Sequence, residues 1–260
     1  MKYKILAISH KGKIRENNED NAYINGYYRR NDEDNFWTYQ DEKNDNLLAA
    51  VFDGMGGVEN GEIASRMAAE ELTQRENGEK VYTQEFSKKA NDYVINTNRK
   101  IALCDENSNM GTTCVILSVE DDKYYFFNLG DSRGYLFQNG ELRQMTKDHN
   151  MVLELLKQGV LTKEQAENHR DRHVLYQSLG MKECGEIIEP EIFSSDSMNA
   201  EKGDICLLCS DGLTDMLCDE EIQNILNTDK LIEDKIIDLF HEALDKGGKD
   251  NVTIVLVEVE

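Results

Sequence analysis

Apolar residues along this chain recur in two rhythms. Short, nearly continuous apolar runs occupy Leu47 to Phe52, Cys114 to Val119, Tyr124 to Leu129, Ile205 to Cys209 and Val252 to Val259, and each predicts a strand, with a shorter one at Asn21 to Ile24. The second rhythm is helical. Ile63, Ala64, Met67, Ala68 and Leu72, then Phe86, Ala90, Tyr93, Val94, Thr97 and Ile101, predict two amphipathic helices covering a sheet face. Leu231, Ile232, Ile236, Leu239, Phe240, Ala243 and Leu244 predict another, stopped by Gly247-Gly248 before the last strand. These stripes read as core and imply no cofactor.

The polar residues at the strand ends are more informative. Three strands run into an aspartate: Leu47–Phe52 into Asp53-Gly54, Tyr124–Leu129 into Gly130-Asp131-Ser132, and Ile205–Cys209 into Ser210-Asp211-Gly212. Two others begin after carboxylates, Asn21 behind Glu19-Asp20 and Val252 behind Asp250-Asn251. In an antiparallel arrangement, ends and beginnings meet at one sheet edge, so these groups can share it. Clustered carboxylates repel and need protons or cations, and hard oxygen ligands favour Mg²⁺ or Mn²⁺. Glycine after Asp53 and Asp211 permits a tight turn and close backbone approach. Any one Asp-Gly pair alone reads as a plain turn. Even five together say only "divalent-metal site on a sheet edge", a description that also fits a nuclease or a calcium-binding module.

Composition narrows the setting. The chain has 260 residues, 39% hydrophobic and 31% charged, with one proline and no internal linker, as expected of one domain spanning 1–260. The acidic stretch from Asn31 to Asn46 reads as an insert. Met1 to His10 is too weakly apolar for a signal peptide, and no segment approaches the roughly 20 apolar residues of a spanning helix, so a cytoplasmic protein without membrane partners is expected. Six scattered cysteines read as reduced thiols. A formal charge of -22 repels nucleic-acid phosphates, which argues against DNA or RNA as partners. It also predicts a preference for substrates with basic flanks.

Six segments in series resemble the metal-dependent serine/threonine protein phosphatases of type 2C, especially compact bacterial members. They are Gly12-Lys13-Ile14-Arg15-Glu16-Asn17-Asn18-Glu19-Asp20, Val51-Phe52-Asp53-Gly54-Met55-Gly56-Gly57, Gly111-Thr112-Thr113, Gly130-Asp131-Ser132-Arg133, Ser210-Asp211-Gly212-Leu213 and Gly248-Lys249-Asp250-Asn251-Val252-Thr253. Each is weak alone, but together they span nearly the whole chain in order. The resemblance implies an α+β fold of two stacked antiparallel β-sheets flanked by α-helices, a four-layer αββα sandwich. It implies two Mn²⁺ or Mg²⁺ ions with a weaker third. Asp53 would bridge the first two, the Gly54 carbonyl and Glu19 would complete one side, and Asp211 and Asp250 would hold the other. Asp131 would help Asp211 hold the third, and Asp20 would orient water.

The implied reaction is hydrolysis of phosphoserine and phosphothreonine in proteins, opposing a bacterial kinase, by a monomer. Two cations roughly 3.5–4 Å apart can acidify a bridging water and aim it in line at phosphorus without a protein nucleophile. Arg15 suits bidentate contact with phosphate. Eukaryotic members commonly carry histidine where this chain has Met55, so the leaving-group proton would fall to a metal-bound water. The region from Lys147 to Gly180 resembles the flap beside the active site of bacterial members. In it, Asp148-His149-Asn150 leads into a Met151–Gly159 helix, and Thr162-Lys163-Glu164-Gln165 forms a capping box for a second. His149, His169 and His173 lie there and, without Cys or carboxylate partners at zinc spacing, read as exposed or hydrogen-bonding.

Other signals are weaker. The cysteines of Cys206-Leu207-Leu208-Cys209 face opposite sides of a strand and share no metal. Asp32-Glu33-Asp34 lacks the apolar strand of a phosphoaspartate site and reads as solvated charge. The alternative to an active enzyme is a pseudophosphatase acting as a phosphoprotein-binding regulator, although retention of Arg15, Asp53, Asp211 and Asp250 argues against it.

Overall fold

The computed structural model describes residues 1–44, 46–55, 60–76, 79–80, 85–104, 110–167, 169–183 and 185–260. Gly56 and Gly57 of the second motif, Asp45 of the acidic stretch and Cys184 lie outside them.

The strands read from apolar runs are buried along their length because each has a sheet on one face and helices on the other. The first sheet has the order Glu141–Gln144, Arg133–Gln138, Ile205–Cys209, Val252–Val259, Tyr3–His10, Phe36–Lys43, and every neighbouring pair is antiparallel. The second runs Phe193–Ser194, Lys123–Leu129, Cys114–Glu120, Leu47–Phe52, Asn21–Ile24, Tyr27–Tyr28, again antiparallel, with Met198–Asn199 pairing Lys123–Leu129 beside it. Between the sheets lie Ile5, Ala49, Val51, Leu117, Phe126, Leu208 and Val255. The helices Gly61–Glu71 and Phe86–Cys104 cover the second sheet through Ala64, Ala68, Tyr93 and Ile101. Asp219–Leu226 and Ile232–Asp245 cover the first through Ile222, Ile236 and Leu239. This is the expected αββα sandwich.

Three expectations change in detail. The acidic stretch is no simple insert: Phe36–Lys43 is an edge strand in register with Tyr3–His10, and Trp37 and Tyr39 pack against the inter-sheet core. Its alternation of half-buried and exposed positions is a strand period, and the exposed face, Phe36, Thr38, Gln40 and Glu42, is mostly polar, as befits a sheet edge. Asp32 is not merely solvated, since both its oxygens accept from Arg66 Nε at 3.0 and 3.1 Å. The five described cysteines are free thiols, but Cys104 and Cys218 are exposed while Cys114, Cys206 and Cys209 are buried. Cys206 faces the inter-sheet core and Cys209 the helical side, which separates the pair as strand geometry requires.

The capping box is present: Gln165 N–H donates to Thr162 Oγ1 (3.2 Å) and Thr162 N–H to Gln165 Oε1 (2.9 Å), opening Lys163–Glu167. The helix before it, Met151–Lys157, is capped by Asn150, whose side-chain oxygen accepts from Val152 N–H and Leu153 N–H. No helix among the described residues is long and apolar enough to cross a membrane.

Candidate metal centre

Antiparallel pairing brings the carboxylate-bearing ends together. Asn21 pairs with Phe52, so Glu19-Asp20 and Asp53 leave the second sheet side by side. Cys114 pairs with Leu129, which puts Thr113 beside the Gly130-Asp131 turn. In the first sheet Cys209 pairs with Ile254, which directs Asp211 and Asp250 to the matching edge. Arg15, Glu19, Asp53, Gly54, Asp131, Asp211 and Asp250 all line one cleft of about 460 Å³ at this end of the sandwich. Asp20 sits behind it, fully buried.

The motif residues that carry no carboxylate hold those that do. Asp53 N–H donates to Thr113 Oγ1 (3.0 Å), Thr113 N–H returns to Asp53 O (2.8 Å), and Thr113 Oγ1 is 2.6 Å from Ser132 Oγ. Asn251 Oδ1 accepts from Glu19 N–H (2.8 Å), while its amide nitrogen donates to the carbonyls of Lys11 and Asn17. Ser210 Oγ donates to Asp20 Oδ2 (2.7 Å). Glycine is required where backbones cross: a Cβ on Gly54 would stand 2.5 Å from Glu19 O, and one on Gly212 1.9 Å from Asn251 O.

Arg29, outside every motif, does the same work from within. Its side chain is fully buried, and its guanidinium donates to the carbonyls of Asn18 (2.6 Å) and Asp20 (2.7 Å) on one side and Asn31, Asp32 and Asp34 on the other. It thereby ties the Glu19-Asp20 turn to the acidic segment and sets a positive charge near Asp20. The pairing of Asn21 with the Arg29 backbone, through the Asn21 side chain, and the strand pairing of Tyr23 with Tyr28 deliver it there. Nothing in its sequence context marks it.

The electrostatics are those of a site short of positive charge. Burial holds Asp53 well above the usual carboxylate range, and Asp20, Asp211, Asp250 and Asp131 push it further. Asp211 is raised by burial and then by Asp131, Asp215, Asp250 and Asp20. Burial lifts Asp20 to about 7 against hydrogen bonds from Ser210 and Thr253, and Asp131 to about 6 against one from Asn150. Asp20 Oδ1 is buried without a hydrogen-bond partner in the protein. A set of oxygen-only donors, mutually repelling and partly unsatisfied, fits hard divalent cations. Among cations of the chain, Arg15 is half-exposed at the rim and donates from Nη2 to Asp250 Oδ2 at 2.7 Å.

The three histidines separate. His149 is buried, its Nδ1 accepts from Gly130 N–H, and burial drives its pKa down to about 4, so it is a neutral structural group. His169 Nδ1 accepts from Asp171 N–H. His173 has the carboxylate neighbours that local spacing did not reveal: its Nδ1 is 3.8 Å from Asp211 Oδ2, and one ligand atom each from His173, Asp211 and Asp215 lie within 4.8 Å of one another. Arg133 of the fourth motif grips Asp148 with both nitrogens of its fork, Nη2 at 2.7 Å from Oδ2, anchoring the start of the 147–180 segment beside Asp131.

The profile of the family described as Protein phosphatase 2C matches residues 13–155. The serine/threonine phosphatase stp of Listeria monocytogenes is 35% identical over 254 residues, covering 95% of this chain and 92% of that protein. The solved structure of the S. agalactiae serine/threonine phosphatase superposes with a TM-score of 0.79 at 32% identity, covering 99% of this chain and 100% of that one. The catalytic domain of serine/threonine protein phosphatase PstP, solved in complex with two manganese ions, superposes at 0.74 with 30% identity, covering 99% and 100%.

Proposed function

The chain belongs to the metal-dependent protein phosphatase 2C family and is a protein serine/threonine phosphatase, and from that premise we propose that its carboxylate cleft uses two Mn²⁺ or Mg²⁺ ions to hydrolyse phosphoserine and phosphothreonine. The observation that carries this reading is the convergence of carboxylates from both sheets on one cleft with Arg15 at its rim. Asp53, with the Gly54 carbonyl and Glu19 on one side and Asp211 and Asp250 on the other, would hold the two ions, and Asp131 with Asp211 a weaker third. Bound there, divalent cations supply Lewis acidity that lowers the pKa of water and offsets charge on phosphoryl oxygens.

The protein groups do the rest. Water attacks phosphorus in line with the leaving serine or threonine oxygen. The hydroxyl of Thr113, the only one lining the cleft among the described residues, is engaged by Asp53 and Ser132 and unsuited to nucleophilic attack. Asp20 keeps one oxygen on Ser210 and offers the other, Oδ1, as an acceptor that orients the attacking water. Arg15 keeps one nitrogen on Asp250 and presents its remaining donors to the phosphate. Met55 and Leu175 add apolar surface to the wall and hold no proton, and the leaving serine or threonine oxygen takes its proton from water. The substrates are products of a serine/threonine kinase, which this enzyme would oppose.

The test is phosphate release from a phosphothreonine peptide by metal-stripped protein, with and without added Mn²⁺ or Mg²⁺, beside Asp211→Asn. Release that requires metal and collapses in the variant is expected. Folded wild-type protein that releases nothing with either ion would sink the reading.

A further inference from the structure

A second cleft, of about 590 Å³, opens directly beside the metal centre and shares Asp131, His173 and Asp211 with it. Its walls carry charge, from Asp148, Lys163, Arg172, Asp215 and Glu221 among others, but also more apolar side chains than the Met55 and Leu175 of the first. On one side stand Leu153 and Leu156, three residues apart and so on one face of the Met151–Lys157 helix, with Ala166 of the next helix. On the other stand Met216 and Leu217, just past the short helix that Asp211 opens. Leu153, Leu156 and Met216 are each only half-buried. Protein interiors leave few voids larger than a water molecule, so apolar side chains facing an open volume of this size are placed for an occupant rather than for one another.

We propose that this cleft seats an apolar side chain of the protein substrate, from a residue within a few positions of the phosphorylated serine or threonine. The inference rests on the proposed function and names the substrate class that site selects. Continuity identifies the occupant. A chain whose phosphate lies among Arg15, Asp53 and Asp211 can leave the first cleft across the shared wall at Asp131, His173 and Asp211, and an extended peptide, advancing roughly 3.3 Å per residue, then carries its next side chains into the second. Leu153, Leu156 and Met216 line the cleft that this wall bounds. The volume lies within the range of about 300–1,000 Å³ typical of ligand pockets.

The test uses phosphothreonine peptides that carry leucine or serine at each of the neighbouring positions in turn. The readout is the ratio of kcat/KM for the leucine and serine members of each pair. At one position the wild-type ratio should be about 10, the low end for one well-seated apolar group. In Leu153→Ser and Leu156→Ser the ratio at that position should fall towards unity, and Leu156→Met should retain most of it. A ratio cancels any general loss of turnover in a variant. A ratio near one at every position in the wild type would overturn the proposal, as would one unaltered in both serine variants. If the ratio is near one and the protein's mass in solution rises with concentration, the cleft belongs to a second copy of the chain. Failure of the proposed function looks different, with no release from any peptide or from p-nitrophenyl phosphate. The leucine-to-serine ratio is then read from peptide affinity by fluorescence anisotropy, where a preference for leucine that both serine variants lose supports the proposal and a ratio near one overturns it.

Discussion

The floor of the metal cleft and the 147–180 wall beside it are built on opposite plans. The floor consists of strand ends, each carboxylate delivered by a buried strand and locked by a neighbour: Asp53 by Thr113, Asp20 by Ser210, Glu19 by Asn251 and the turn as a whole by Arg29. The wall consists of helices of seven and five residues with much of their surface exposed. It is tied to the sandwich chiefly near its ends, by Arg133–Asp148 and His149–Gly130 at one and by the Thr112–Leu179 bridge at the other. Chemistry that depends on sub-ångström placement of charge sits on the part that cannot shift without breaking a sheet. Selection among substrates, as proposed, sits on a part whose side chains contribute little to the core.

The sharpest way to break this contrast is Asp53→Asn. Phosphate release should fall by about 10³-fold or more, the scale on which loss of a central electrostatic group is felt. The metal-free variant should nevertheless melt higher than the metal-free wild type, because one of several repelling buried charges is gone. A lower melting temperature would mean that the cluster is not strained by its own charge. Arg29→Met comes next. It strips a donor set from five carbonyls and should cost about 2–4 kcal/mol in denaturant melts, with Mn²⁺ affinity by calorimetry falling as well. Stability lost with metal affinity unchanged would show that the floor does not need its tie to the acidic segment.

Smaller effects sharpen the picture. Asp20 and Asp131 have folded-state pKa values raised above their unfolded ones, so the folded metal-free protein binds more protons than the unfolded chain. The stability these two groups contribute is fully present below the unfolded carboxylate range and is lost as pH rises through about 6 to 7, and Mn²⁺ should flatten that slope in thermal melts taken across pH. Asn150→Ala removes the cap of the Met151–Lys157 helix, worth about 1 kcal/mol locally. It should raise KM for phosphopeptides while leaving global melting nearly unmoved. Equal changes in KM and melting would mean that wall and floor are one cooperative unit. Least of all, basic flanks on a phosphopeptide should raise kcat/KM a few-fold at low salt, and the advantage should fade near physiological ionic strength, where the Debye length is about 8 Å.

Much of the floor is legible in the sequence because its signals are local. An apolar run followed within two residues by aspartate and glycine states both a strand and what lies at its end, and antiparallel pairing then needs only to be assumed. Phe36–Lys43 escapes because its polar and aromatic residues sit inside a stretch whose acids read as composition and not as alternation. Tyr3–His10 escapes because its continuous apolar run is only Ile5 to Ile8, too short for periodicity to tell a strand from a buried helical turn. Arg29 and the carboxylate neighbours of His173 escape for a different reason. Arg29 acts on backbone carbonyls on both flanks of its own hairpin, and His173 and Asp211 stand thirty-eight positions apart in the chain, so no spacing rule connects them. The order of amino acids by itself determined which segments must be buried and which carboxylates arrive at their ends, since burial and strand period act between near neighbours. Only the tertiary structure decided which buried cation stands behind the carboxylates, which histidine meets them and where an apolar cleft is left open, because those are contacts between surfaces that exist only after the sheets have stacked.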